Sequence, residues 1–136
     1  MTLRELNQLR YLRREIASDQ RRLRELEMLA TSPSSPNLSG ISSGGSGGNR
    51  IENYVAQIAD LQAVIREKIA KLLQEQARLE QYIANVPESY LRQIMTLRFI
   101  EGRSWNGVAM ALQGTTEAAC KMAVQRYILG QDKDKK

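Results

Sequence analysis

The sequence predicts an all-α protein: a long antiparallel helical hairpin, coiled-coil-like, followed by a C-terminal helix-turn-helix. Three observations predict it. Apolar residues recur every three or four positions over residues 2–30 and again over 51–86. A Ser/Gly/Pro stretch separates the two runs. Past Pro87 the pattern shortens into three helical segments punctuated by Gly102 and by Gln113-Gly114.

The first run carries Leu9, Leu12, Ile16, Leu23, Leu26 and Ala30 at heptad spacing, with Asp19 interrupting the seam. Residues 31–50, TSPSSPNLSGISSGGSGGNR, hold almost nothing to bury and read as a flexible linker. The second run places Ile58, Leu61, Ile65, Ile69, Leu72, Leu79, Ile83 and Val86 on one side. Its 4-4 spacing at Leu61, Ile65 and Ile69 is a stutter in the heptad. A 20-residue linker spans roughly 25 Å, which closes an antiparallel hairpin without strain. Two helices leave their stripes half covered, so packing on the C-terminal region or on a second copy is expected.

Pro87 ends or redirects the second helix, because it lacks the N–H that a helix interior needs. PESYLRQIMTLRFIEG then reads as a helix that Gly102 stops. Ser104 caps a short helix, SWNGVAMAL, and the last helix runs from Thr115 or Thr116 to about Leu129. The expected divisions are a hairpin over 1–86, a helix-turn-helix over 87–130, and a disordered basic tail over 131–136.

Composition narrows the chemistry. The 136 residues include one Cys and no His, with 42% hydrophobic, 26% charged and 5% aromatic residues. These counts argue against a disulfide scaffold, a Ser-His or Cys-His relay, a His/Cys zinc site and a base-stacking sheet. No apolar run approaches the roughly 18 residues of a membrane span, and MTLRELNQLRYLRREI is too charged for a signal peptide. The expectation is a soluble, non-enzymatic protein without cofactor or metal. The net charge is +5, with eight bases against five acids over residues 87–136, a surplus that suits phosphate contacts. The Arg-rich first helix interleaves with Glu5, Glu15, Glu25 and Glu27 and reads as a solvated face with local ion pairs.

A short helix, a Gly-containing turn and a capped second helix outline a helix-turn-helix. With Ala119, Met122, Ala123 and Arg126-Tyr127 inward, the outer face of the last helix would carry Thr116, Glu117, Ala118, Cys120, Lys121 and Gln125. That face would enter a major groove, with Arg103, Ser104, Asn106 and Thr115 near phosphates and Arg126 as a further contact.

The stretch LRQIMTLRFIEGRSWNGVAMALQGTTEAACKMAVQRYI resembles region four of bacterial sigma factors. It is more closely similar to phage-encoded regulators of the ArpU/RinA-like late-transcription group. There, a helical segment with a Ser/Gly/Pro insert precedes a motif matched here by Leu97-Arg98-Phe99-Ile100-Glu101-Gly102-Arg103-Ser104-Trp105. The likeness spans nearly the whole chain and is sharpest over 97–112. It implies a phage or prophage transcriptional regulator in the bacterial host cytoplasm, with double-stranded DNA as ligand, RNA polymerase as a second partner and no catalytic residues.

The run TEAACKMAVQRY departs from the family in being Ala-rich, which limits guanine readout to Lys121, Gln125 and Arg126. A homo-oligomer, a dimer first, would recover affinity. Two rivals stand beside this reading. One is a small terminase-type packaging subunit, and the other is a protein–protein adaptor that turns Val124 and Ile128 outward.

Overall fold

The computed structural model describes residues 1–31 and 45–134, and all regular structure among them is helical. The helices are α1 (Leu3–Thr31), α2 (Gly45–Ala84), α3 (Ser89–Met95), α4 (Trp105–Leu112) and α5 (Glu117–Asp134). A π-helical turn, Thr96–Ile100, continues α3. At 1.5 Å per residue, α1 is about 44 Å long and α2 about 60 Å.

Both long helices outrun their expected limits. Thr31 belongs to α1 and Gly45–Arg50 to α2, so only residues 32–44 of the expected linker lie between helices, outside the described residues. α2 thus begins in Gly/Ser sequence of low helix propensity. At the other end α5 passes Leu129 and ends at Asp134, so the tail expected over 131–136 is helical through Asp134. Lys135 and Lys136 lie outside the described residues.

The chain divides into two compact units: Met1–Arg13 with Leu72–Lys136, and Arg14–Lys71. These limits differ from the boundary expected at residue 86. The reason lies in the apolar side chains. Leu6 and Leu9 of α1, and Leu79 and Ile83 of α2, share one cluster with Ile94, Phe99, Val108, Cys120 and Val124.

In the unit Arg14–Lys71, Ile16, Leu26 and Ile65 are buried. Asp19, the break in the α1 seam, meets a base from α2: Lys68 Nζ lies 2.6 Å from Asp19 Oδ2 and 3.4 Å from Glu15 Oε1. The hydrogen bond to Asp19, with help from Glu15, holds the Lys68 ammonium above its usual range. Lys68 thus occupies the seam place expected of Ile69, which is 36% exposed. Ile58, Leu61, Ile65 and Lys68 keep a 3-4-3 heptad spacing, so the 4-4 stutter expected at Ile69 is not used.

The larger unit opens on a capping box that the sequence reading passed over. Thr2 Oγ1 accepts from Glu5 N at 3.2 Å, and Glu5 Oε2 accepts from Thr2 N at 2.7 Å. Glu5 also accepts from Arg78 Nη2 at 2.9 Å. The Arg78 bond, then the Thr2 bond, lower the Glu5 pKa to about 2. At the far end of α2, Arg92 donates to Val86 O at 2.7 Å and Pro87 O at 2.9 Å. A guanidinium there satisfies carbonyls near the helix C-terminus and suits its negative dipole end.

The π turn adjusts the face that α3 buries. Glu101 N donates to Thr96 O at 2.9 Å, an i→i+5 bond. Leu91, Ile94 and Met95 are buried before it and Phe99 within it, while Arg98 stands off the core.

Candidate nucleic-acid interface

The candidate interface is built from the turn after α3, from α4, and from α5, all within the larger unit. Gly102 turns the chain at φ +75°, where a Cβ would stand 3.4 Å from Arg13 Nη1. Two residues fasten this turn. Arg10 donates to Gly102 O and Arg103 O at 3.4 Å each, and Arg98 donates to Arg103 O at 3.0 Å. Arg98 also lies over the Trp105 ring, 4.7 Å from its centroid, and Trp105 meets Phe99 edge-on at 6.3 Å. Arg10 therefore leaves the solvated face expected of the α1 arginines, as does Arg13, which donates to Gln76 Oε1 at 3.4 Å. Arg22 keeps to that face, pairing with Glu25 at 3.2 Å.

Ser104 is the expected cap of α4, its Oγ accepting from Gly107 N at 3.0 Å. Gly107 looks like a defect in a short helix, yet a Cβ there would come within 3.3 Å of the capping hydroxyl. Val108 and Ala109 are buried, and Leu112 packs at the core edge. The next turn holds two consecutive positive φ values, Gln113 at 56° and Gly114 at 75°.

Of the two starting points expected for the last helix, Thr116 is the cap: its Oγ1 accepts from Ala119 N at 3.1 Å. The half-buried Thr115 instead exchanges a 2.8 Å hydrogen bond with Tyr90 OH, tying the turn back to α3.

The inward face of α5 differs from the one expected. Cys120, Val124 and Ile128 are buried at 0%, 1% and 5% exposure, whereas Ala119, Met122 and Arg126 are exposed. Ala123 and Tyr127 sit at the margin. An i, i+4, i+8 row of apolar residues is the shortest path to a core, and Cys behaves there as a small hydrophobe. Cys120 is expected on the outer face only with Ala119, Met122 and Ala123 inward, whereas the true inward row lies one position to the side. The far end of α5 is held by Gln131, which donates to Tyr127 OH at 2.8 Å and accepts from Tyr82 OH at 3.2 Å.

The remaining candidates keep their exposed places. Thr116 before α5 and Glu117, Ala118, Lys121, Gln125 and Arg126 on it are open within this unit, as are Arg103, Ser104 and Asn106 before and on α4. Lys121 and Gln125 line a hollow of about 150 Å³ with Leu3, Asn7, Arg98, Trp105 and Val124. Asn7 and Arg98 are thus neighbours of the candidate contacts that sequence reasoning missed. Nothing local in the first helix signals the proximity of Asn7. Arg103 is engaged by Glu101 at 3.1 Å, so it would exchange that partner for a phosphate. A wider groove of about 560 Å³ carries Glu80 and Glu101 beside Leu97, Ala111 and Leu112, a lining unsuited to phosphate.

Among the described residues, no group of three or more His, Cys, Asp or Glu is placed to hold a metal ion. No described helix is long and apolar enough to cross a membrane. Comparison with protein-family models, curated proteins and solved structures gives no match.

Proposed function

We propose that the chain is a non-catalytic, DNA-binding transcriptional regulator in which α4, the connection 113–116 and α5 act as a helix-turn-helix, carried on an antiparallel hairpin of α1 and α2. One observation carries this reading. α5 is anchored by Cys120, Val124 and Ile128 and leaves Ala118, Lys121, Gln125 and Arg126 exposed, one side apolar and the other equipped for a groove. In this reading Lys121 and Arg126 meet phosphates or guanine edges, and Gln125 pairs with adenine. The exposed Ser104 and Thr116 stand at the N-termini of α4 and α5, where backbone N–H groups favour phosphate. The likeness of residues 97–112 to phage-encoded late-transcription regulators supports a phage or prophage origin, and the broader likeness to sigma region four suggests RNA polymerase as the protein partner.

The adaptor reading keeps the Ala-rich run of α5 but loses the outward Val124 and Ile128, which are buried. Fluorescence anisotropy on random and genomic duplexes across a salt series tests the proposal. Binding should fall steeply with salt, and Lys121→Ala should lower the log–log slope by about 1. Absence of binding at low salt overturns it. A ring of eight or more subunits would move the reading to a packaging subunit.

A further inference from the structure

The small hollow between the first turns of α1 and α5 differs in chemistry from the wider groove. Its polar lining is Arg98, Lys121, Asn7 and Gln125: two cations, two amides and no carboxylate. The wider groove carries Glu80 and Glu101. Leu3, Trp105 and the buried Val124 complete the walls of the hollow. All of these residues belong to the unit formed by Met1–Arg13 and Leu72–Lys136. A volume of about 150 Å³ is well below the roughly 300–1,000 Å³ of sites that take a cofactor or a drug-sized ligand. The hollow suits a group of a few atoms, and the charge of its lining selects an anion.

The cationic side is prepared in advance. Arg98 is held by its 3.0 Å bond to Arg103 O and by the Trp105 ring, so little side-chain freedom is lost when an anion arrives. Lys121 is exposed and forms no ion pair among the described residues. Asn7 donates one amide hydrogen to Leu3 O at 3.1 Å, which leaves the second for a ligand.

Position around α5 indicates where the anion comes from. At 100° per residue, Lys121 lies about 60° and Gln125 about 100° from the buried Val124, whereas Met122 and Arg126 lie about 160° away. Lys121 and Gln125 thus occupy the flank of α5 that faces α1. A helix seated in a major groove has base edges in front of it and a sugar-phosphate backbone along each flank. On that geometry the hollow meets a backbone phosphate.

We infer that this hollow is a phosphate-group site, charged by Arg98 and Lys121, and that α1 joins the DNA interface through Asn7. The duplex as source of the phosphate rests on the proposed helix-turn-helix, while the charge of the hollow stands without it. Trp105, the single Trp of the chain, reports from the wall of the site. Its emission in the full chain should respond saturably to duplex DNA and to inorganic phosphate, and not to chloride at the same ionic strength. By anisotropy, Asn7→Asp should weaken duplex binding about tenfold, the effect of one unit charge at a few ångströms. Asn7→Lys should strengthen binding and steepen the log–log salt slope by about 1. Gln8, exposed and outside the hollow, is the control: Gln8→Asp and Gln8→Lys should change affinity far less. Helical circular dichroism should be the same for all four variants. Duplex binding indifferent to both Asn7 variants, or equally sensitive to the Gln8 variants, overturns the site and leaves DNA binding intact. A Trp105 response to inorganic phosphate that Asn7→Asp abolishes, without duplex binding, supports the site and overturns the helix-turn-helix reading. Trp105 emission silent toward both probes overturns the site, and with no anisotropy change on the duplex both readings fall.

Discussion

Gly107 and Ser104 act as one unit at the start of α4. Ser104→Ala removes the bond to Gly107 N and should cost about 1 kcal/mol in urea denaturation. Gly107→Ala should give almost nothing in the native background, because the new methyl crowds the capping oxygen at 3.3 Å. In the Ser104→Ala background the same change should recover up to about 1 kcal/mol of helix propensity. Strict additivity of the two changes would refute the coupling.

Glu5 makes a pH-dependent contribution at the same scale. Its folded pKa, about 2, lies below the ordinary 4.5. Between those values the unfolded chain takes up a proton that the folded chain refuses. The contribution is complete above about pH 4.5 and fades as the pH falls toward 2. Side-chain exposure of 39% for Glu5 and 54% for Arg78 keeps the effect small through screening. Urea midpoints at pH 6 and pH 3 should differ more for the native chain than for Glu5→Gln.

Among elements, the contact between Asp19 of α1 and Lys68 of α2 shows how a polar layer enters an apolar seam. The two side chains are 22% and 27% exposed, so each depends on the other for part of its solvation. Lys68→Leu alone leaves Asp19 without its closest base and should cost about 1–2 kcal/mol. Asp19→Leu combined with Lys68→Leu should regain that loss or exceed it, since an apolar layer of similar volume replaces two partly desolvated charges. Thermal denaturation of the two single variants and the double variant checks the cycle. The α3 segment illustrates a different device: its π turn moves the core position to Phe99 and leaves Arg98 over Trp105, beside the turn that precedes α4.

At the scale of the molecule, the helices α3 to α5 do not carry a core of their own. Leu6 and Leu9 are 0% and 1% exposed in the cluster that includes Val108, Cys120 and Val124. Leu6→Ala should therefore lower stability by about 3 kcal/mol although it lies some hundred residues before α4. A fragment beginning at Pro87 should lack the cooperative thermal transition of the full chain. Persistence of that transition in the fragment would show that α3 to α5 fold without the first turns of α1.

Local signals in the sequence determined the helical class, the Gly102 stop, the Ser104 cap and the exposure of Lys121 and Gln125. Each depends on residues within one or two turns: apolar spacing, a hydroxyl before a helix, a glycine after one. The buried row of α5, the capture of the Gly102 turn by Arg10, the Thr115–Tyr90 bond and the replacement of Ile69 by Lys68 in the seam were decided only in three dimensions. Those features depend on which side chain a distant element brings. Asp19 reads as a defect until Lys68 stands opposite it, and Cys120 reads as a surface thiol until the core closes over it. Periodicity tells a helix that it has a buried side, but packing chooses among faces that differ by 100° of rotation.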